Sequence, residues 1–279
     1  MTFQGRWVLV TGASSGLGRE IARRLAKDHR AHLVLAARRT ERLAALADEL
    51  RQAHGVDVAT VTVDLSTHAG VESLLKAARE HTPLAAVVLN AGVTFYGHLL
   101  DQSVEDATTL MRTNVEGVVH SSRAMADLMA RNGQGSMLLV ASLTALAPFP
   151  TEALYGASKA FITQYGLALR HELAPHGVHV GIFAPGGIAT EMLSNAGLDK
   201  KFASDQIGMM SATTCAKYAV RALVRRRAYV VPGLLNRVLA TLMRFAPRWV
   251  ATRVVAGLYD NGEQTRWQRR HPLGQRPVP

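Results

Sequence analysis

The sequence predicts an α/β fold, a doubly wound parallel sheet of about seven strands with helices on both faces. Short runs rich in Val, Ile, Leu and Ala recur at 7–11, 32–37, 57–63, 84–89, 136–141, 178–183 and 228–231. Each run is near-continuously apolar, as expected of parallel strands covered on both sides. Longer helical patterns lie between them, near 16–29, 40–54, 67–80, 102–131, 152–175 and 211–226. Repeated β-α-β units of this kind wind right-handed into a Rossmann-type sheet. The chain's 279 residues suit one large domain, which at that size buries roughly 75% of its unfolded surface and stands without disulfides or metals.

Composition narrows the class further. Cys215 is the single cysteine, so no intramolecular disulfide forms and a reducing, cytoplasmic setting is expected. The eleven histidines are scattered without paired His/Cys spacing, and no metal site is expected. Met1 to Arg6 is polar and Trp7 already opens the first strand, so no signal peptide is expected. No apolar run reaches the roughly 18 uncharged residues of a membrane span.

The net charge of +11 is unevenly placed. Residues 1–216 hold 19 basic and 19 acidic side chains, whereas residues 217–279 hold 13 basic side chains against Asp260 and Glu263 alone. A neutral catalytic body over residues 1–232 is therefore expected. A basic amphipathic helical extension follows over 233–259, and a disordered tail over 260–279.

The first strand runs directly into Thr11-Gly12-Ala13-Ser14-Ser15-Gly16-Leu17-Gly18. Glycines at this spacing, between a strand and a helix, permit a tight turn and close backbone approach to a pyrophosphate at the helix N-terminus. The second strand ends in Ala37-Arg38-Arg39. An acid there would bind a ribose 2′-hydroxyl, while arginine pairs with a 2′-phosphate, so NADP(H) is the expected cofactor and Arg38 its main reader. Asp64-Leu65 after the third strand and Asn90-Ala91-Gly92 after the fourth extend the same site.

Tyr155 and Lys159 lie one helical turn apart on the 152–175 helix. An ammonium beside a phenol favours the phenolate and lowers its pKa from about 10, as general acid/base chemistry on a carbonyl or alcohol requires. Ser142 ends the fifth strand thirteen residues upstream, where its hydroxyl would hold the substrate oxygen. Asn114 is an unusual polar choice inside the 102–131 helix and would anchor a water near Lys159.

Taken together, these residues resemble the short-chain dehydrogenase/reductase family over roughly residues 5–232. The resemblance rests on the glycine loop at 11–18, Asp64, Asn90-Ala91-Gly92, Asn114, Ser142, Tyr155-x-x-x-Lys159 and Pro185-Gly186. It implies a metal-free catalytic tetrad of Asn114, Ser142, Tyr155 and Lys159. It also implies cofactor contacts from Gly12, Ser14, Ser15, Gly16, Leu17, Gly18, Arg38, Arg39, Asp64, Leu65, Asn90, Ala91, Gly92, Tyr155, Lys159, Pro185, Gly186, Ile188 and Thr190. Helices 102–131 and 152–175 would build a homodimer or homotetramer. Two positions depart from the family pattern: Leu89 stands where asparagine is common, and Ser15 where NADP-preferring relatives often place a basic residue.

Met192, Leu193, Phe202, Ile207, Met209 and Met210 make the loop after the sixth strand apolar. Thr94, Phe95, Tyr96, Leu143, Leu146 and Phe149 add to the same side, so a small hydrophobic carbonyl or alcohol substrate is expected. In the extension, Arg237, Arg244 and Arg248 fall within about 40° of one another at helical periodicity, opposite much of the apolar set, and Trp249, Val250, Val254, Val255 and Leu258 continue the pattern as a second helix after Pro247. A membrane-surface helix over 233–258, a subunit contact or lid, and docking to an acidic partner such as an acyl carrier protein all stay open. No motif reads nucleic acid. A different class of function, a non-catalytic NADP-binding regulator or scaffold docking through the basic helices, competes with the enzyme reading.

Overall fold

Alternation along β1 (Trp7–Thr11) sets the layers: Val8 and Val10 pack to one side of the sheet and Leu9 to the other. The computed structural model describes residues 2–192 and 209–259. The predicted tail over 260–279 lies outside those residues. β1 is flanked by β2 (His32–Ala37) and β4 (Leu84–Leu89); β3 (Val58–Thr62), β5 (Gly135–Val140), β6 (Val178–Phe183) and β9 (Tyr229–Val230) complete one sheet. Its order is β3-β2-β1-β4-β5-β6-β9, and every pairing is parallel. A small second sheet pairs β7 (Ile188–Ala189) with β8 (Met210–Ser211).

The crossover helices close both faces. On one, α1 (Gly16–His29), α2 (Thr40–His54) and α7 (Ala212–Val224) bury Ile21, Leu25, Leu43, Leu50, Cys215 and Leu223 against Val8, Val10, Leu33 and Leu35. On the other, α3 (His68–Glu80), α5 (Gly117–Arg131) and α6 (Ala153–Leu173) bury Leu74, Met125, Met129 and Ile162 against Leu9, Val34, Val87 and Leu139. Helix starts carry their own signals. Thr67 caps α3 by accepting from the Gly70 amide, and Ser103 caps α4 (Val104–Met111) by accepting from the Asp106 amide at 3.0 Å.

The single helix expected over 102–131 is broken. α4 passes into a π-helical turn, Arg112–Glu116, before α5 resumes at Gly117. A Cβ at Gly117 would lie 2.3 Å from the Leu65 carbonyl, so the helix crosses the β3–α3 loop at backbone contact. The widened turn carries Asn114, which is fully buried. Such one-turn insertions recur at functional sites and are invisible to a 3.6-residue periodicity.

After β9 the chain turns at Gly233 into α8 (Leu234–Phe245) and α9 (Arg248–Tyr259). Because α8 stops before Pro247, Arg248 belongs to the second helix and does not share a stripe with Arg237 and Arg244. The apolar residues of α8 also occupy two faces: Leu239 borders the central cavity, while Leu235, Val238, Leu242 and Phe245 are exposed alongside the arginines.

Leu9 is fully buried at the centre of the sheet. Leu9→Ala is expected to cost about 2–5 kcal/mol, read as a lower urea midpoint with unchanged m-value.

Candidate active site

In a sheet of this order, β1 and β4 are neighbours whose following connections run to opposite faces, which opens a crevice at their carboxyl ends. A cavity of about 570 Å³ occupies it, within the usual size of ligand sites. The Thr11 hydroxyl, 1% exposed, accepts from the Asn90 amide at 2.9 Å and the Ala91 amide at 3.0 Å. The Asn90 side chain donates back to the Thr11 carbonyl at 3.1 Å. This latch leaves no room above the loop: a Cβ on Gly18 would sit 2.3 Å from the Gly12 carbonyl and 2.6 Å from Asn90 Nδ2. Gly12 itself has φ +66°, a region that favours glycine. Bare backbone at a helix N-terminus, opening on a cavity, fits a dinucleotide pyrophosphate.

The far end of the cavity is cationic. Arg38 and Arg39 both line it, with Ala37 at the end of β2. The Arg39 guanidinium reaches back to the glycine loop, donating to Ser14 Oγ at 3.2 Å and to Ser15 Oγ at 2.5 Å. It also donates to Glu191 at 2.8 Å, and Arg42 donates to the same carboxylate at 2.6 Å. These two arginines hold the Glu191 carboxyl below the usual range. Asp64 forms the adjoining wall. Burial works to raise its carboxyl, but hydrogen bonds from Ser66 and the charge of Arg38 outweigh it, and its pKa lies below the ordinary value. Arg39 is thus the cation bonded to the loop serines, while Arg38 acts on Asp64.

At the other end, Ser142, Tyr155 and Lys159 converge. The Ser142 side chain hydrogen-bonds Tyr155. Lys159 Nζ lies 5.6 Å from the Tyr155 ring centroid and donates to the Val140 carbonyl at 3.1 Å. Burial pushes the lysine down to about 8. Contrary to the sequence expectation, the phenol is not lowered. Burial raises it well above the ordinary tyrosine value, the Glu152 carboxylate raises it further, and only the Ser142 bond opposes them. Tyr155 is therefore a neutral phenol, a proton donor, in this state.

Asn114 joins this end by clamping Val93, accepting from its amide and donating to its carbonyl, each at 2.9 Å. The same side-chain nitrogen donates to Ser158 Oγ at 3.2 Å, and Ser158 donates to the Tyr155 carbonyl at 2.7 Å. A Cβ on Gly92 would meet Asn114 Oδ1 at 3.1 Å and Lys159 Nζ at 3.4 Å, so all three share one corner.

Gly12, Ser14, Ser15, Gly16, Leu17, Asp64, Leu65, Asn90, Ala91, Gly92, Pro185, Gly186, Ile188 and Thr190 line the cavity as well; Gly18 and Asn114 lie behind its wall. Of the residues expected on the substrate side, Thr94, Leu143, Phe149, Met192 and Met209 line it, whereas Phe95, Tyr96, Leu146 and Met210 do not. Leu193, Phe202 and Ile207 lie outside the described residues. Sequence reasoning missed Glu152, Glu191, Ser158 and one whole wall. Asn236, Leu239 and Met243 of α8 border the cavity, and a Cβ on Gly186 would lie 2.8 Å from Asn236 Nδ2. Their 3-4 spacing was legible as one face of a helix, but nothing local told where that face would dock.

A family model described as short chain dehydrogenase matches residues 6–201. A sulfoacetaldehyde reductase of Chromohalobacter salexigens is 37% identical over 187 residues, 66% of this chain and 73% of the relative. Glycine betaine reductase ATRR of Emericella nidulans is 34% identical over 190 residues, 68% of this chain; the match spans only 15% of that longer protein. Among solved structures, a short-chain dehydrogenase from Sphingobium yanoikuyae in complex with NADPH has a TM-score of 0.77 and 28% identity, covering 98% of both chains.

The latch at Thr11 is testable on stability alone. Thr11→Val keeps the shape and leaves two backbone amides unpaired, an expected loss of about 1–3 kcal/mol in chemical denaturation.

Proposed function

From the premise that this chain belongs to the short-chain dehydrogenase family, oxidoreductases of CH–OH and C=O groups, we propose that it reduces a small hydrophobic ketone, aldehyde or 3-oxoacyl compound with NADP(H). The observation that carries this reading is the convergence of Tyr155, Ser142 and Lys159 on one end of a cavity whose cationic end holds Arg38 and Arg39.

The glycine loop would hold the pyrophosphate and Lys159 the nicotinamide ribose. Backbone from Ile188 to Thr190 would hold the carboxamide. The bound nicotinamide supplies the reducing equivalent at the carbonyl carbon. Tyr155 gives its proton to the carbonyl oxygen, which Ser142 orients and stabilises by hydrogen bonding. The Lys159 ammonium stabilises the phenolate left behind. Asn114, through Val93 and Ser158, positions the corner in which Lys159 sits. Three features support a 2′-phosphate: Ala37 in place of an acid, Arg38 exposed beside Asp64, and Arg39 bonded to the loop serines. Support for an apolar substrate comes from Leu143, Phe149, Met192, Met209, Leu239 and Met243 on the opposite wall. We place a homodimer or homotetramer contact on α4–α5 and α6, where Met111 and Phe161 are exposed. The regulator reading has no use for a buried lysine set beside a cavity-lining phenol in this way.

Tyr155→Phe should abolish turnover in an NADPH-consumption assay across ketones, aldehydes and 3-oxoacyl thioesters while NADPH binding persists. Activity above about 10% of wild type would remove Tyr155 as proton donor, since positioned proton transfer contributes about 10²–10⁴-fold. With Lys159 lowered to about 8, the ammonium is present below that pH and lost above it. Reduction should therefore be flat through neutral pH and fall as pH rises past about 8, in a pH–rate profile. The double substitution of Arg38 and Arg39 by Leu should lower kcat/KM for NADPH by at least about tenfold, charge-assisted phosphate bonds being lost. NADH values should stay within about threefold.

A further inference from the structure

The two C-terminal helices cover the cavity with one face and leave the other bare. On α8, Asn236, Leu239 and Met243 border the cavity, while Leu242 and Phe245 are 62% and 79% exposed. On α9, Ala251 and Val255 are buried, and Trp249 and Val254 are 65% and 53% exposed. Arg244, Arg248 and Arg253 of the same two helices are exposed as well, and the Arg253 guanidinium lies 5.5 Å over the Trp249 ring. No acidic residue occurs anywhere from Gln206 to Tyr259.

We propose that this outer face docks the enzyme on an anionic membrane surface, with α8 and α9 lying in the interface plane. Large apolar side chains left in water favour transfer to a less polar phase. Arginines beside them, and a tryptophan with an apolar body and polar edge, suit the headgroup level of an anionic bilayer. Each helix has 12 residues, about 18 Å of length, against a hydrocarbon core of about 30 Å. Among the described residues no helix is long and apolar enough to cross a membrane. The helices therefore lie on the surface and do not span it.

A second copy fits this face less well. If it docked the same face, it would bring Arg244, Arg248 and Arg253 of two chains together, with no carboxylate from Gln206 to Tyr259 to separate them, and juxtaposed like charges are costly. An acidic protein would satisfy the arginines. The exposed apolar side chains, however, are spread over two successive helices, and a planar apolar phase can take up all of them at once. Because α8 borders the cavity from within, a docked outer face sets the cavity beside the lipid phase.

Co-sedimentation of the full chain with vesicles tests this, comparing phosphatidylcholine alone with phosphatidylcholine plus phosphatidylglycerol. Pelleting is expected with the mixed vesicles only, and it weakens as salt rises. Each basic side chain near such a surface is worth roughly a five-fold gain in partitioning. Arg244→Gln with Arg248→Gln should thus lower binding by more than about tenfold, and Leu242→Ser with Phe245→Ser should lower it comparably. Both pairs should keep the wild-type melting temperature and light-scattering mass. Absence of pelleting with the anionic vesicles overturns the proposal, as does pelleting that both double variants retain. A loss of oligomer mass in the serine pair without vesicle binding would instead assign the face to a second copy. Retention on polyglutamate without vesicle binding would assign it to an acidic protein.

Discussion

The closeness of β1 to β4 at their carboxyl ends constrains everything built above them. One buried hydroxyl, on Thr11, satisfies two backbone amides of the β4 loop, and the Asn90 amide answers by binding the β1 end. Unpaired buried amides are costly, so the two loops are held at a fixed separation. From there the constraint travels by hydrogen bonds. Gly92 leads to Val93, Val93 is gripped at both its amide and its carbonyl by Asn114, Asn114 bonds Ser158, and Ser158 bonds the carbonyl of Tyr155. The glycine loop and the phenol are thus two ends of one polar network running through an apolar interior. Such a network is rigid only if every member is satisfied. That is why a π-helical turn, otherwise a weak piece of backbone, is retained at Asn114.

Burial also sets the electrostatics of the reacting end. Desolvation disfavours charge on both Tyr155 and Lys159, and it is the largest influence on each. A lysine one turn from a tyrosine reads in sequence as an activator that lowers the phenol. In the folded chain the Lys159 ammonium is directed at the Val140 carbonyl, and the nearer influence on the phenol is the Glu152 carboxylate, which raises it. The resting pair is a protonated phenol and an ammonium held near its titration point. That arrangement is compatible with the proton donation to a carbonyl proposed for Tyr155.

How much of this was legible follows from distance along the chain. The parallel strands, the glycine loop and the Tyr155–Lys159 turn are local patterns, and each was readable within about a dozen residues. Features that depend on approach between remote segments were not. Glu191 meets Arg39 and Arg42 across 152 and 149 residues, and no periodicity marks a lone glutamate as their partner. Arg39 appeared equivalent to Arg38 in sequence, and only the fold turned its guanidinium toward Ser14 and Ser15. The π turn was hidden for another reason: a one-residue widening leaves the apolar period on either side almost intact.

The C-terminal helices join both themes. A helical wheel drawn from Leu234 to Arg248 puts Arg237, Arg244 and Arg248 on one stripe opposite much of the apolar set, with a second helix expected after Pro247. The break before Pro247 falls as expected, but it takes Arg248 off that stripe, and α8 carries apolar side chains on two faces. A helix of that kind needs two apolar surroundings, since whichever face is left in water carries a standing cost. The cavity supplies the first, by way of Leu239 and Met243. The described residues do not supply the second, and on our proposal it accepts the arginines as well. The run of sequence from Gln206 to Tyr259 holds no acid, so the two helices carry no carboxylate of their own before Asp260. The same feature that made the charge distribution lopsided in sequence therefore specifies the sign of whatever covers the helices: anionic, and apolar just beneath.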